Sequence, residues 1–107
     1  MTFGESIREW RLERKMGLRQ FAKAVGVSPT FLSKMERGTG PLPGEETICG
    51  MAKFFGKDPD VLLAMADKVA SDVLVVIKRQ PAYAGFIRAA AHLTKEQWQQ
   101  ITFVKLG

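Results

Sequence analysis

The chain has 107 residues, of which 46% are hydrophobic and 25% charged, with sixteen Lys and Arg against eleven Asp and Glu. That length fits one domain, or one domain with a small appendage, and the near-average composition argues against wholesale disorder. One cysteine and one histidine exclude an internal disulfide framework and a self-contained Cys/His zinc site.

No uncharged run approaches the ~18 apolar residues of a membrane helix. The opening Met1-Thr-Phe-Gly-Glu5 meets charge at once and has no signal-peptide core. The expectation is a soluble, cytoplasmic protein that needs neither metal nor cofactor. A core this small stands to gain from a partner subunit. The surplus of positive charge is uneven. Residues 1–37 carry eight basic and four acidic side chains, residues 38–70 three and five, and residues 71–107 five and two. A positive N-terminal third suits a polyanion-binding surface, although the same charge also serves solubility.

The apolar spacing is helical along the chain. A first helix is predicted over Gly4 to Lys15, with Thr2 and Glu5 as a capping box and Phe3, Ile7 and Trp10 as its inner stripe. A second runs from Leu18 to Val25 and stops at Gly26, with Leu18, Phe21, Ala22 and Val25 on one face. A third opens with Ser28 as N-cap and Pro29 at the first helical position, and turns Leu32 and Met35 inward. The run Gly38-Thr-Gly-Pro-Leu-Pro-Gly44 is a loop. A fourth helix, Glu45 to Phe55, buries Ile48, Met51, Ala52 and Phe55. A fifth starts at Asp58-Pro59 and carries Leu62, Met65, Ala66 and Val69. Val73-Leu-Val-Val-Ile77 suits a helix or a strand; its helical neighbours favour helix. Pro81 opens a helix with Tyr83, Phe86, Ile87, Ala90 and Ala91. Thr94 and Gln97 form a second capping box, with Leu93 and Trp98 as its staple.

Met16 to Gly38 is the informative stretch. Two short helices joined by Gly26-Val-Ser28 have the form of a helix-turn-helix. With Leu32 and Met35 inward, Thr30, Ser33, Lys34 and Arg37 fall on the outer face of the third helix. That stripe is polar, rich in donors and free of acid, as contacts to base edges and phosphates require. Seven residues span about 10 Å, enough for a few base pairs in a major groove about 12 Å wide. A solvated helix face has a similar look.

Ala22, Gly26, Ser28, Leu32, Met35 and Glu36-Arg37-Gly38 occur together in the pattern AxxVGVSPxFLSKMERG, followed by a Pro-Gly loop and EETxxxMAKFFG. In this the chain resembles the xenobiotic-response-element family, the Cro and phage-repressor type of helix-turn-helix regulator, over about residues 4 to 66. The resemblance implies an all-α, five-helix phage-repressor-like helix-turn-helix domain over residues 1–66. A short C-terminal helical extension, residues 67–107, would serve dimerisation or partner binding. It implies DNA as partner, a palindromic operator, a homodimer and, most simply, a repressor.

The same resemblance assigns Thr30, Ser33 and Lys34 to base edges, with Pro29 offering at most apolar contact. It assigns Arg19, Gln20, Arg37, Thr39 and Gly40 to phosphates, and pairs Arg11 with Glu36 between the first and third helices. Gly17 stands where many members cap the second helix with Ser or Thr. Phe31 sits beside the reading face, either for the sugar-phosphate backbone or for packing on the second helix.

Other signals point away from chemistry. Gly38-Thr-Gly40 with Gly44 has no following Gly-Lys-Ser/Thr and is not a P-loop. Cys49 lies off its helix's apolar stripe and reads as an inert thiol. His92 has no acid–base constellation around it, so an enzyme is not expected.

Beyond residue 66 the apolar residues Val73, Val76, Ile77, Phe86, Ile87, Trp98, Ile101 and Phe103 exceed what short helices hide alone. Dimerisation through Val73, Ile77, Phe86, Trp98 and Ile101 is expected, with Leu12 as a candidate for the same interface, against packing back on the first and fifth helices. An antitoxin-like module that binds another protein is the alternative function. RNA binding fits less well, since the aromatics read mostly as core.

Overall fold

Side-chain caps and prolines set several of the helix starts. The Ser28 hydroxyl accepts from the Phe31 N–H at 3.0 Å, and Pro29 follows where its missing donor costs nothing. The Asp58 carboxylate accepts from the Asp60 N–H at 2.8 Å, again ahead of a proline. Thr2 accepts from the Glu5 N–H at 3.1 Å. Thr94 and Gln97 cap reciprocally: the Gln97 N–H donates to the Thr94 hydroxyl at 3.1 Å and the Thr94 N–H to the Gln97 side chain at 2.9 Å.

The structure is a computed structural model and describes residues 1–102; Phe103 lies outside them. Among the described residues it has eight α-helices and no strand. These are α1 (Phe3–Glu13), α2 (Leu18–Val25), α3 (Pro29–Arg37), α4 (Glu45–Phe55), α5 (Pro59–Met65), α6 (Ser71–Arg79), α7 (Ala82–Ala90) and α8 (Lys95–Thr102). The valine-rich run 73–77 lies inside α6. The chain divides into two compact units, Met1–Ala70 and a second that begins at Ser71.

Two helices end earlier than their sequence pattern predicts. α1 stops at Glu13 rather than Lys15, because Lys15 takes a left-handed backbone (φ 55°) and the Met16 N–H turns back to the Arg11 carbonyl at 3.2 Å. α5 stops at Met65. Asp67 is left-handed (φ 57°), and the Lys68 N–H closes on the Leu63 carbonyl at 2.8 Å. Val69 therefore does not continue the α5 stripe and is 54% exposed. Leu63, which the stripe left out, is buried beside Leu62.

In the first unit, α1 to α5 converge on one core. Ile7, Phe21, Leu32, Met35, Ile48, Met51, Leu62 and Leu63 are its fully buried large side chains. Each stabilises the fold by about 1.5–3 kcal/mol relative to exposure. Phe21 anchors the centre, with ring centroids 5.1 Å from Phe55 and 5.4 Å from Phe54. Trp10 extends the cluster, 5.6 Å from Phe55. Cations cover its outer edge: the Arg14 guanidinium lies 5.4 Å from both the Phe54 and Phe55 rings, and the Lys57 ammonium 5.0 Å from Trp10. In the second unit α6 packs on α7 and neither helix buries a residue. Two nine-residue helices present more apolar surface than one contact can cover.

Candidate nucleic-acid interface

The link between α2 and α3 depends on Gly26, which ends α2 in the left-handed region (φ 76°) that a β-carbon disfavours. The Val27 N–H then closes on the Ala22 carbonyl at 3.0 Å, so the chain turns tightly into Ser28 and α3. Leu32 and Met35 enter the core, which leaves Thr30, Lys34 and Arg37 exposed and Pro29 and Ser33 half-buried.

The outer residues do not form one even stripe. Thr30, Ser33 and Arg37 line a shallow groove with Pro29 and with Gly17, Leu18, Arg19 and Gln20 at the start of α2. Lys34 lies on the other flank of α3, against the loop that follows the helix, with Gly40 beside its stem. The spacing i, i+3, i+4, i+7 spans a broad arc, wide enough for its two edges to meet different neighbours.

The groove is open, about 640 Å³ in volume, and donors surround it. Gly17 caps α2 without a side-chain bond, and the first-turn N–H groups of a helix have no intrahelical acceptor. With Arg19 and Gln20 exposed beside them, this helix start suits an anion. Arg37 folds along α3, its Nε donating to the Ser33 carbonyl at 3.3 Å. Past the left-handed Gly38, the Thr39 N–H donates to the Lys34 carbonyl at 3.0 Å and its hydroxyl to the same oxygen at 3.4 Å.

Two buried contacts lock α3 against α1. The Arg11 Nε donates to Glu36 Oε2 at 2.9 Å and Nη2 to Oε1 at 2.8 Å, while Nη1 reaches the Met16 carbonyl at 2.9 Å. The hydrogen bonds to Glu36 raise the Arg11 pKa, burial opposes them, and the carboxylate's charge reinforces them. The second contact is Gly4. A β-carbon there would overlap the Met35 carbonyl oxygen and stand 3.1 Å from the Glu36 Cα. Neither Gly4 nor the Met16 carbonyl stands out in the apolar pattern; Gly4 is the first residue of the predicted helix, and only with α1 beginning at Phe3 does it become a glycine inside a helix, a sign of close approach. Phe31 turns to the protein: half-buried, it packs against the core and lines a hollow with Val27, Pro43 and Thr47.

A helix-turn-helix family model matches residues 7–62, more than half of the chain. The chain belongs to the Cro-type, xenobiotic-response-element helix-turn-helix family. This is a family of DNA-binding transcription regulators rather than of enzymes. Two solved structures share the fold. One is the clp gene regulator ClgR from Corynebacterium glutamicum, with TM-score 0.50 and 24% identity, covering 82% of this chain and 88% of that one. The other is a SinR protein/SinI protein complex, with TM-score 0.53 and 19% identity, covering 94% and 91%. No curated protein matches the chain.

In this helix-turn-helix protein the second unit gathers some of the expected interface residues and separates others. Val73, Ile77 and Phe86 line one apolar groove with Val76, Tyr83 and Ile87. Trp98 and Ile101 stand on α8 outside it, 52% and 44% exposed. Leu12 is exposed on α1, in a hollow lined also by Glu5, Arg8, Glu9, Glu13 and Glu36. Cys49 is half-buried and packs against the core, and His92 is exposed just past α7. No helix among the described residues is long and apolar enough to cross a membrane, and no three of their His, Cys, Asp and Glu side chains group as metal ligands.

Proposed function

We propose that this protein represses transcription by binding a palindromic DNA operator as a homodimer, with α3 in the major groove. One observation carries the reading: Thr30, Ser33 and Arg37 of the acid-free outer face of α3 share one open groove with the uncapped start of α2. Thr30, Ser33 and Lys34 would meet base edges, with Pro29 offering apolar contact to a thymine methyl. Arg19, Gln20, Arg37, Thr39 and Gly40 would meet phosphates on either side and set the register. The buried Arg11–Glu36 pair would hold α3 at a fixed angle to α1 and act on DNA only through that angle.

A single module of this size buries too little surface for tight, specific binding, which favours two copies on one operator. The exposed Val73 and Phe86, half-buried Ile77, and Trp98 and Ile101 support a contact between copies through residues 67–107. Selection of bound duplexes from random sequence, followed by footprinting, tests the proposal. A twofold-symmetric site with half-sites about 10–10.5 base pairs apart, or a multiple, is expected. Selection that returns no common sequence would remove the operator-binding role.

The second reading is that the same apolar face receives a different protein. The neighbouring SinR structure is a complex with another protein, and the groove of α6 and α7 leaves Phe86 67% exposed. A full-length chain that sediments as a monomer yet binds its operator would favour that reading.

A further inference from the structure

The exposed Lys34 lies beside the loop that follows its own helix. The loop leaves α3 through Gly38 and is tied back by the two Thr39 bonds to the Lys34 carbonyl. This brings Gly40 against the lysine stem. A β-carbon on Gly40 would lie 2.8 Å from the Lys34 Cβ and 3.7 Å from its Cδ. Gly40 is not among the glycines with positive φ, so its missing side chain supplies space rather than an unusual backbone angle. The Lys34 Cβ is fixed by the helix and cannot swing away as a flexible tip could. A methyl group at position 40 must therefore displace the loop, and with it the backing of the lysine stem.

We infer that Gly40 is a positioning residue for Lys34: it backs the lysine stem, restricts its rotamers and aims the ammonium group away from the loop. This rests on the proposed reading that α3 enters the major groove, and it assigns Gly40 a role beyond phosphate contact. A long, flexible lysine loses much rotamer entropy when it is fixed on a base, and a stem already confined in the free protein loses less.

Two measurements on the full chain test the inference. The first needs no DNA. Three-bond couplings between the Lys34 α- and β-protons should report one dominant χ1 rotamer in the wild type and an altered distribution in Gly40→Ala. Identical couplings in the two proteins would overturn the inference. The second is a double-mutant cycle on a duplex selected by the wild type, with a scrambled duplex as reference. Gly40→Ala should weaken binding to the selected duplex about tenfold and to the scrambled one little. In a Lys34→Ala background, which keeps the Cβ that the new methyl meets, the same change should weaken both duplexes alike and lose its preference for the selected one, since the ammonium group it positions is gone. Equal losses on both duplexes with Lys34 in place, or a loss in the double variant that still falls on the selected duplex alone, would make Gly40 an independent backbone contact instead. If the wild type selects no sequence, it is the operator reading that fails, and the couplings alone decide whether Gly40 orders Lys34.

Discussion

Arg11 and Glu36 lie 25 positions apart and form a two-pronged ion pair, with both side chains nearly buried. The third arm of the guanidinium reaches the Met16 carbonyl, so one side chain joins the end of α1, the entry to α2 and the last turn of α3. Removing either partner leaves a buried charge without its counterion. Arg11→Met and Glu36→Gln should each destabilise the fold by about 3–5 kcal/mol in urea titrations. A double-mutant cycle should give strong coupling, and coupling near zero would reduce the pair to two separate surface charges.

Gly4 provides a sharper test of the α1–α3 contact. Helix propensity alone makes Gly→Ala a gain of about 1 kcal/mol inside a helix. Here the added methyl meets the Met35 carbonyl, a backbone atom that cannot rotate away. Gly4→Ala should therefore lower stability by about 1–3 kcal/mol. A Gly4→Ala protein as stable as the wild type would mean that α1 does not approach α3 so closely.

Contacts on DNA should divide by kind. Lys34→Ala should cost about 1–3 kcal/mol on a selected site and little on random duplex, because it removes a base contact. Arg19→Ala and Arg37→Ala should weaken both duplexes, and each lost phosphate contact should lower the slope of log affinity against log salt by about 0.9. Titrations at several salt concentrations separate the two classes. An unchanged slope in both arginine variants would take them out of the interface.

Assembly is tested by cutting the chain after Ala70, which still packs against the first unit's core. The shortened protein should remain helical and folded, sediment as a monomer and bind DNA weakly. The full chain should be a dimer at micromolar concentration. Trp98→Ala should weaken that dimer, since large aromatic side chains dominate many interfaces. A truncation as dimeric as the full chain would move the contact into the first unit.

Much of the helix-turn-helix was legible in the sequence because its signals are local. Ser28-Pro29 and Asp58-Pro59 each place a cap oxygen beside a residue that needs no N–H, and both start helices. Leu32 and Met35 repeat at the spacing of one helix face, and both are buried. Val69 misled for the same reason: it keeps the helical period, but the chain has already turned at Asp67. Period records which positions could share a face, not where the backbone stops being helical.

From sequence alone came an all-helical chain, the turn at Gly26, the outer face of α3 and the surplus apolar residues after residue 66. Each follows from the spacing of side chains along one segment or from the backbone freedom of one residue. Tertiary structure alone decided that Gly4 admits the α3 backbone, that Ser33 turns toward α2 and that Lys34 rests against Gly40. These depend on how closely separate segments approach. A difference of one methyl group decides such contacts, and periodicity along a single helix does not encode the distance to its neighbour.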